Sequence, residues 1–356
     1  MSIKDYLEID GSFGEGGGAI LRVGAGFSVS CNQPVKIINI RANRPKPGLR
    51  LQHLLGLQTL AKLTNSTLSE CKVGSRDVDF VPNTQINKKI HVNISTAASI
   101  GLLLQPILIA SLGFRKTNKI EISLSGGGTF GKWAPSLNYL QNVTFPIYKK
   151  SGLDINLNIQ KHGWYPKGGA QVDCVITPPI KKLKPVNLTE LGNVHFINGE
   201  IIITNQLRHA RNNIVERIKK SIKRHLKKQE KVEMSIKHSW VNSTSPGVGL
   251  SLWAESDTGA IISSGTFLGE KKLSSEKLGM IAADEILKYI KNDIPVDNYL
   301  SDQLIPLMAH AKDPSKIKVL EVTKHAKTNL ELIKQITNRN YSVIKSKKNH
   351  FFVEYL

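Results

Sequence analysis

The sequence is poor in cysteine and in long apolar runs, and both shortages exclude classes of protein. Its 356 residues include only three cysteines, too scattered for a disulfide framework or a cysteine-ligated metal, which suits a reducing compartment. The longest apolar stretch, residues 100–112, is shorter than a bilayer span and contains a glutamine and a proline. Residues 1–8 are charged and lack the apolar core of a signal peptide. We therefore expect a cytoplasmic protein with no membrane contact.

Acidic side chains are also scarce. The chain has 49 lysines and arginines against 28 aspartates and glutamates, a formal net charge of +21. Such an excess favours binding to a polyanion, nucleic acid above all. The alternative is that surface lysines only keep the protein soluble. Hydrophobic residues make up 40% of the chain and charged residues 22%, which is the composition of an ordinary globular protein with room for two domains.

The order of predicted elements repeats along the chain. Beginning with a strand at residues 3–9, strand, helix, strand, helix and two short strands follow one another up to residue 81, and the same order recurs from residue 90 to residue 176. A third copy, ambiguous at its start, ends the chain, with helices predicted at residues 274–290, 298–311 and 329–336. The alternation predicts an α/β fold of layered helices and strands. We expect a large domain of three β-α-β-α-β-β repeats, residues 1–182 and 294–356, and a smaller α/β domain inserted at 183–293.

The inserted segment contains a basic helix, predicted at residues 212–228. Apolar residues recur in it at four-residue intervals, which predicts one face packed on a core. Its lysines and arginines are then expected to form a solvated face, although they could also line an RNA path.

Residues 10–18, DGSFGEGGG, form a glycine loop that carries one carboxylate before the first predicted helix. The glycines let backbone N–H groups approach a ligand closely, and the helix start favours phosphate. Glu15 would repel a bound phosphate unless a metal ion lay between them, as Mg²⁺ does when it bridges a carboxylate and substrate phosphates. The spacing fits neither the Rossmann nor the Walker motif. The loop therefore indicates metal-assisted nucleotide chemistry.

Three arginines follow this loop closely in sequence. Arg22 lies one turn into the first helix. Arg41 and Arg44 come just after the next predicted strand. Guanidinium groups bind phosphate oxygens in pairs. For Arg41 and Arg44 a surface salt bridge is an equal alternative.

Two later segments carry further candidates. Residues 162–169, HGWYPKGG, set Trp164 and Tyr165 beside a lysine, so that the aromatic rings could stack on a base or could be core anchors. His325 follows a predicted strand and precedes a predicted helix, a common position for site residues in α/β folds. Histidine serves as a nucleophile or as an acid and base at neutral pH, although a lone histidine is more often structural.

Taken together and in this order, residues 10–22, 40–53, 162–169, 296–304 and 325–329 resemble the RNA 3′-terminal phosphate cyclase family. The resemblance runs across most of the chain and leaves only the insert poorly marked. It implies three repeats like the C-terminal domain of translation initiation factor three, with a smaller domain inserted after the second. It also implies an enzyme that uses ATP and a divalent metal, Mg or Mn, to convert an RNA 3′-phosphate end into a 2′,3′-cyclic phosphodiester.

The resemblance further implies residue roles. His325 would attack the α-phosphorus of ATP to form a covalent histidine–AMP, AMP would pass to the RNA 3′-phosphate, and Glu15 would hold the metal. The positions implied for the RNA end are Arg22, Arg41, Arg44, Gln52 and His53. The positions implied for the nucleotide are Gln105, Pro135, Tyr299, Asp302 and Gln303. The chain departs from the family pattern at Ala19, at Ala170 and over residues 130–133.

Two other functions compete with this hypothesis. One is a cyclase-like relative that acts in ribosomal RNA processing without adenylation; such relatives lack the nucleophilic histidine, which is present here as His325. The other is a non-catalytic RNA-binding protein, which the charge of +21 supports but which leaves Glu15 and His325 unexplained. The sequence leaves the oligomeric state open.

Overall fold

The computed structural model describes residues 5–83, 85–115, 119–208, 213–227, 232–347 and 349–356. The predicted α/β class is confirmed: within these residues the strands form mixed sheets of four, with helices packed on them. No helix of the described residues combines the length and apolarity that a membrane span requires.

The first sheet pairs two parallel strands with an antiparallel pair. β1 and β2 are parallel, and β4 lies antiparallel between β2 and β3. The elements of this unit are β1 (Leu7–Asp10), α1 (Gly18–Cys31), β2 (Val35–Ile38), α2 (Leu51–Thr64), β3 (Thr67–Leu68) and β4 (Val78–Val81).

The second sheet has the same arrangement. β5 and β6 are parallel, and β8 lies antiparallel between β6 and β7. The elements of this unit are β5 (Lys89–Ser99), α3 (Ile100–Gly113), β6 (Ile120–Gly128), α4 (Leu137–Tyr139), a π-type turn (Leu140–Thr144), α5 (Phe145–Ser151), β7 (Asp154–Lys161) and β8 (Gln171–Thr177).

The next strand, β9 (Asn187–Leu188), is followed by a sheet of different topology. In that sheet β10 is parallel to β11 and antiparallel to β12, and β13 pairs with β12 at the edge. Its elements are β10 (Val194–Thr204), a 3₁₀ turn (Asn205–Leu207), α6 (Ile214–His225), β11 (Glu233–Val241), β12 (Val248–Ser256), β13 (Ile261–Leu268) and α7 (Ser275–Lys291).

The remaining sheet repeats the arrangement of the first two. β9 is parallel to β14, and β16 lies antiparallel between β14 and β15. The elements that complete this unit are α8 (Asn298–His310), β14 (Ser315–Val319), α9 (Lys324–Thr337), β15 (Tyr341–Lys345) and β16 (Phe351–Tyr355).

Several elements differ from the sequence prediction. The predicted helix at 274–290 corresponds to α7, which packs against α6 and β13 rather than on the last sheet. β9 and β13 were not predicted. Parts of two predicted elements, residues 3–4 of the first strand and the two ends of the basic helix, lie outside the described residues. The domain bounds, with 183–293 inserted, stay a prediction.

The first helix occupies the centre of the large core. α1 is buried along most of its length and packs against α3 and α9, which belong to the other two units. Gly26 permits the close approach to α3, because a Cβ there would lie 2.8 Å from the Cβ of Ile109. α1 therefore holds the glycine loop at its amino end in a fixed position between the three units.

A buried carboxylate joins three parts of the chain next to this core. Asp297 caps α8 by accepting hydrogen bonds from the backbone N–H groups of Tyr299 and Leu300, at 3.0 and 2.9 Å. It also accepts from the Tyr139 hydroxyl of α4 and from the Ser263 N–H of β13, each at 2.9 Å. Burial raises the pKa of Asp297 to about 6, while these hydrogen bonds lower it.

Replacing this carboxylate should destabilise the protein strongly. In Asp297→Ala the cap is lost and the buried donors of Tyr139 and Ser263 have no acceptor, so we expect the free energy of unfolding to fall by about 3 kcal/mol. Urea denaturation measures this, with Asp284→Ala, an exposed position on α7, as the control expected to stay within about 0.5 kcal/mol of the parent. A loss below about 1 kcal/mol in Asp297→Ala would show that the junction contributes little.

Candidate active site

The glycine loop lies against the amino end of α9, although the two are far apart in sequence. The backbone N–H of Glu15 donates to the Thr328 hydroxyl at 3.2 Å across 313 residues. Gly14 has a φ of +56°, and a Cβ there would lie 2.4 Å from the same hydroxyl oxygen. Any larger residue would push the loop away from α9. The site is therefore built from both ends of the chain.

His325 projects from the first turn of α9. The helix begins where Thr323 accepts a hydrogen bond from the Ala326 N–H at 2.9 Å, an N-cap. The Nδ1 atom of His325 lies 2.5 Å from Oε2 of Glu15. This close contact and the charge of Glu15, with a smaller contribution from Asp302, raise the pKa of His325. The ring is half exposed, and in the described part of the chain its Nε2 atom has no hydrogen-bond partner.

Asp302 is positioned from both α8 and α9. Its Oδ1 accepts a hydrogen bond from the Thr323 hydroxyl at 2.8 Å, and its backbone carbonyl accepts from Asn329 at 3.4 Å. Burial raises the pKa of Asp302 to about 6, and the His325 charge opposes this. Thr323 therefore both starts α9 and orients a carboxylate beside the histidine.

The second oxygen of Glu15 is also engaged. Oε1 forms a short ion pair with Arg44, whose guanidinium also reaches the backbone carbonyl of Glu15 at 3.3 Å. The close contact with His325, followed by the charges of His325 and Arg44, lowers the pKa of Glu15. The carboxylate is thus ionised at neutral pH and lies between the His325 ring and the Arg44 guanidinium.

A buried guanidinium lies on the other side of the loop. Nε of Arg22 donates to Oε1 of Gln105 at 2.6 Å. Burial lowers the pKa of Arg22 to about 10, while Glu15 raises it, so the side chain stays charged at neutral pH. Within the described residues no carboxylate forms an ion pair with Arg22. A buried cation without an acidic partner is a position where an anion would be stabilised.

His53 packs beside this arginine as a neutral ring. Its Nδ1 accepts a hydrogen bond from the Arg50 N–H at 3.1 Å. Burial, followed by the charges of Arg22, Arg41 and Arg50, lowers the pKa of His53 to about 3. Because Gly18 lacks a side chain, the His53 ring can lie close to it: a Cβ at Gly18 would be 2.3 Å from Nε2 of His53.

His325 and Arg22 border a cavity of about 370 Å³ whose lining includes both polar and apolar residues. Arg22, His325 and Asn329 are among its polar lining residues. Its apolar lining is aromatic and aliphatic, and in it the Tyr139 and Tyr299 rings lie 6.3 Å apart, edge to face. The sequence-predicted residues that line the cavity are Arg22, Gln105, Pro135, Tyr299, Asp302, Gln303 and His325.

The other sequence-predicted residues lie outside the cavity. Glu15 contacts His325, and Arg44 contacts Glu15 in turn. His53 and Arg22 both lie beside Gly18. Arg41 serves its own loop instead: Nη1 donates to the carbonyls of Lys46 and Gly48 at 2.7 and 2.9 Å. Gln52, in the first turn of α2, is half buried and does not line the cavity.

Some cavity residues had no prediction from the sequence. Asn329 is buried, lines the cavity one helical turn after His325, and carries a side-chain oxygen with no partner among the described residues. Its spacing of four from His325 on one helix face was a usable signal. Trp133 also lines the cavity, and nothing in the sequence distinguished it from a core tryptophan.

The loop 162–169 contains one buried and one exposed aromatic residue. Trp164 is buried and stacks on Phe130 with ring centroids 5.0 Å apart, so the core-anchor alternative holds for it. Tyr165 is 82% exposed and stays available for contact with another molecule.

The donor atoms at the site fit a metal that brings phosphate ligands with it. Among the residues that the structure describes, no group of three or more His, Cys, Asp or Glu side chains is arranged to hold a metal ion. Among the described residues Glu15 offers a carboxylate beside the loop N–H groups, with its two oxygens in contact with Arg44 and His325. Mg²⁺ in nucleotide sites is often bound by one or two carboxylates plus the substrate phosphates, a set that Glu15 can complete.

Comparisons with known proteins agree on one family. The family model described as RNA 3′-terminal phosphate cyclase matches residues 13–343. A protein named RNA 3′-terminal phosphate cyclase from Pyrococcus furiosus is 39% identical over 335 residues, 94% of either chain. A protein of the same name from Methanothermobacter thermautotrophicus is 34% identical over 342 residues, 95% of this chain and 96% of its own.

Proposed function

Because the chain belongs to the RNA 3′-terminal phosphate cyclase family, a family of ATP-dependent ligase-class enzymes, we propose that it converts an RNA 3′-phosphate end into a 2′,3′-cyclic phosphodiester through a histidine–AMP. The observation that carries this proposal is the contact of His325 with Glu15 at the edge of the cavity, 2.5 Å from Nδ1 to Oε2. A histidine held on Nδ1 has its Nε2 lone pair directed outward as a nucleophile.

The proposed reaction has three steps. Nε2 of His325 attacks the α-phosphorus of ATP, the bond to pyrophosphate breaks, and Glu15 stabilises the charged ring. An oxygen of the RNA 3′-phosphate then attacks the same phosphorus, and the bond to Nε2 of His325 breaks. The neighbouring 2′-hydroxyl finally attacks the RNA phosphorus and gives up its proton to water, and the bond to AMP breaks. This ring closure has the advantage of proximity, since the attacking oxygen is on the same ribose.

The surrounding charges support binding of phosphate groups. Arg22 is a cation that lines the cavity, and Arg44 contacts Glu15. The neutral His53 ring adds a hydrogen-bonding group beside Arg22 without repelling it. We assign Arg22 and Arg44 to phosphate oxygens of the nucleotide or of the RNA end, and the net charge of +21 to attraction of the RNA as a whole.

The nucleoside would lie against the apolar lining of the cavity. Tyr299 and Pro135 belong to this lining, and aromatic and ring side chains of this kind bind a base by stacking. Gln303 also lines the cavity, and two hydrogen bonds hold its amide, which donates to the Tyr299 carbonyl at 3.0 Å and accepts from the Thr144 hydroxyl at 2.8 Å.

A divalent metal held by Glu15 would neutralise charge on the phosphate groups. Glu15 would then have two tasks, since it also orients His325. Gln52 and Arg41 are assigned to shaping the loop around the RNA end, Arg41 through the two carbonyls that it holds.

One experiment tests the adenylation step directly. The protein is incubated with α-labelled ATP and Mg²⁺ or Mn²⁺, without RNA, and we expect a covalent AMP adduct that acid releases. Addition of an RNA with a 3′-phosphate should discharge the adduct, whereas the same RNA with a 3′-hydroxyl should not. Absence of the adduct with either metal would exclude this mechanism and favour the non-adenylating relative or the RNA-binding protein.

A further inference from the structure

A tight turn presents a tryptophan at the rim of the cavity. Gly131 and Ala134 pair as an antiparallel bridge, so that Lys132 and Trp133 form the tip of the turn. Trp133 lines the cavity and is nevertheless 89% exposed. An indole that both lines a cavity and is this exposed leaves apolar surface in water, and a ligand in the cavity that covered it would be stabilised by burial of that surface.

The backbone of this turn is fixed at both ends. On one side, Phe130 is buried and stacks on Trp164. On the other, the Ser136 hydroxyl lies 2.7 Å from the Thr266 hydroxyl of β13. The tip is held too, because Nζ of Lys132 lies 2.8 Å from Oε1 of Glu270. The indole of Trp133 is thus carried on a fixed turn.

The cavity volume limits which group the indole would contact. A volume of about 370 Å³ is near the lower limit of small-molecule sites, roughly 300 to 1,000 Å³, and leaves room for one nucleoside rather than two. In the proposed function the phosphates bind at Arg22 and His325, and the base binds against Tyr299 and Pro135. Trp133, two residues before Pro135, lines the same cavity.

We propose that the Trp133 indole, already held on this turn at the cavity, packs on the exposed part of the nucleobase when ATP occupies the cavity, and so acts as a binding residue for the nucleotide of the proposed reaction. This inference rests on the proposed function for the identity of the ligand. Stacking on an aromatic ring is tolerant of base identity, so Trp133 contributes affinity for the nucleotide rather than a choice of base.

The test measures how adduct formation depends on ATP concentration in the absence of RNA. Trp133→Ala should raise the half-saturating ATP concentration about tenfold, as expected from removing one base-stacking aromatic ring, and should leave the maximal amount of adduct unchanged. Trp133→Phe should restore most of the affinity. Tyr165→Ala, a matched control that removes an exposed aromatic residue outside the cavity lining, should behave as the parent.

Two results would overturn the inference. One is an unchanged ATP dependence in Trp133→Ala. The other is an effect confined to the RNA concentration needed for discharge, which would show that Trp133 contacts the RNA. If the parent protein forms no adduct, the proposed function fails and the inference is still testable by acrylamide quenching. The tryptophan fluorescence that is present in the parent and missing in Trp133→Phe belongs to Trp133. ATP should then protect this fluorescence from acrylamide, and lack of protection would overturn the inference.

Discussion

Replacing His325 by alanine is expected to abolish the AMP adduct and to reduce cyclisation by on the order of 10⁴-fold or more, the range seen when an enzyme loses its covalent nucleophile. The reason is geometric as well as chemical. His325 is the described histidine that both lines the cavity and pairs with Glu15, and no neighbouring side chain offers a second nitrogen in that position among the described residues.

The control separates lost chemistry from lost structure. His325→Asn keeps an amide that can donate to Glu15 but has no nucleophilic nitrogen, so it should bind ATP normally and form no adduct. His91→Ala, an exposed position on β5, should form the adduct at the parent rate. An adduct that persists in both His325 variants would assign the nucleophile to another residue and would refute the proposed role.

Replacing Glu15 by glutamine is expected to slow adduct formation by about 10²- to 10³-fold and to change its pH dependence. In the parent, Glu15 raises the pKa of His325, so the imidazolium persists to a higher pH, and adduct formation should increase as the pH rises through that value. Glutamine removes the negative charge, and the pKa of His325 falls. The increase should therefore occur at a lower pH in Glu15→Gln.

The rate and the pH profile report different properties of the pair. Above both pKa values the variant should remain slow, because glutamine does not fix which ring nitrogen carries the proton. Glu121→Gln, which removes a carboxylate paired with Lys89 at 3.3 Å on the surface, should change neither quantity. A Glu15→Gln profile that coincides with the parent profile would contradict the role of Glu15 on His325.

Short sequence patterns were enough to select three residues that the structure places close together. A carboxylate among glycines, arginines close behind it and a histidine before a helix each have few explanations, and the structure brings Glu15, Arg22 and His325 together. The start of α9 was predicted too late, at residue 329 rather than Lys324. The first turn carries little apolar periodicity, and the Thr323 cap was not recognised as the start signal.

Other features depend on contacts between distant residues. β9 has two residues and no pattern of its own, so only its pairing with β14 defines it as a strand. β13 contains serines and Gly265 at a φ of +80°, where the Tyr299 ring lies over the glycine. Arg41 was expected at phosphate, but it also has a positive φ, +54°, and holds two carbonyls of its own loop. Such uses of a side chain are decided by tertiary structure.

The contact between Gly14 and Thr328 has a consequence for synthesis of the protein. The groups that would hold phosphate lie near the amino end of the chain, whereas the proposed nucleophile His325 and the Thr328 hydroxyl lie on α9, with Thr328 313 residues from Glu15. During translation the glycine loop and its arginines emerge long before α9 does. Under the proposed mechanism, an incomplete chain would therefore carry the proposed phosphate-binding groups without the group to adenylate, and reactivity toward ATP would begin only when α9 docks against the loop.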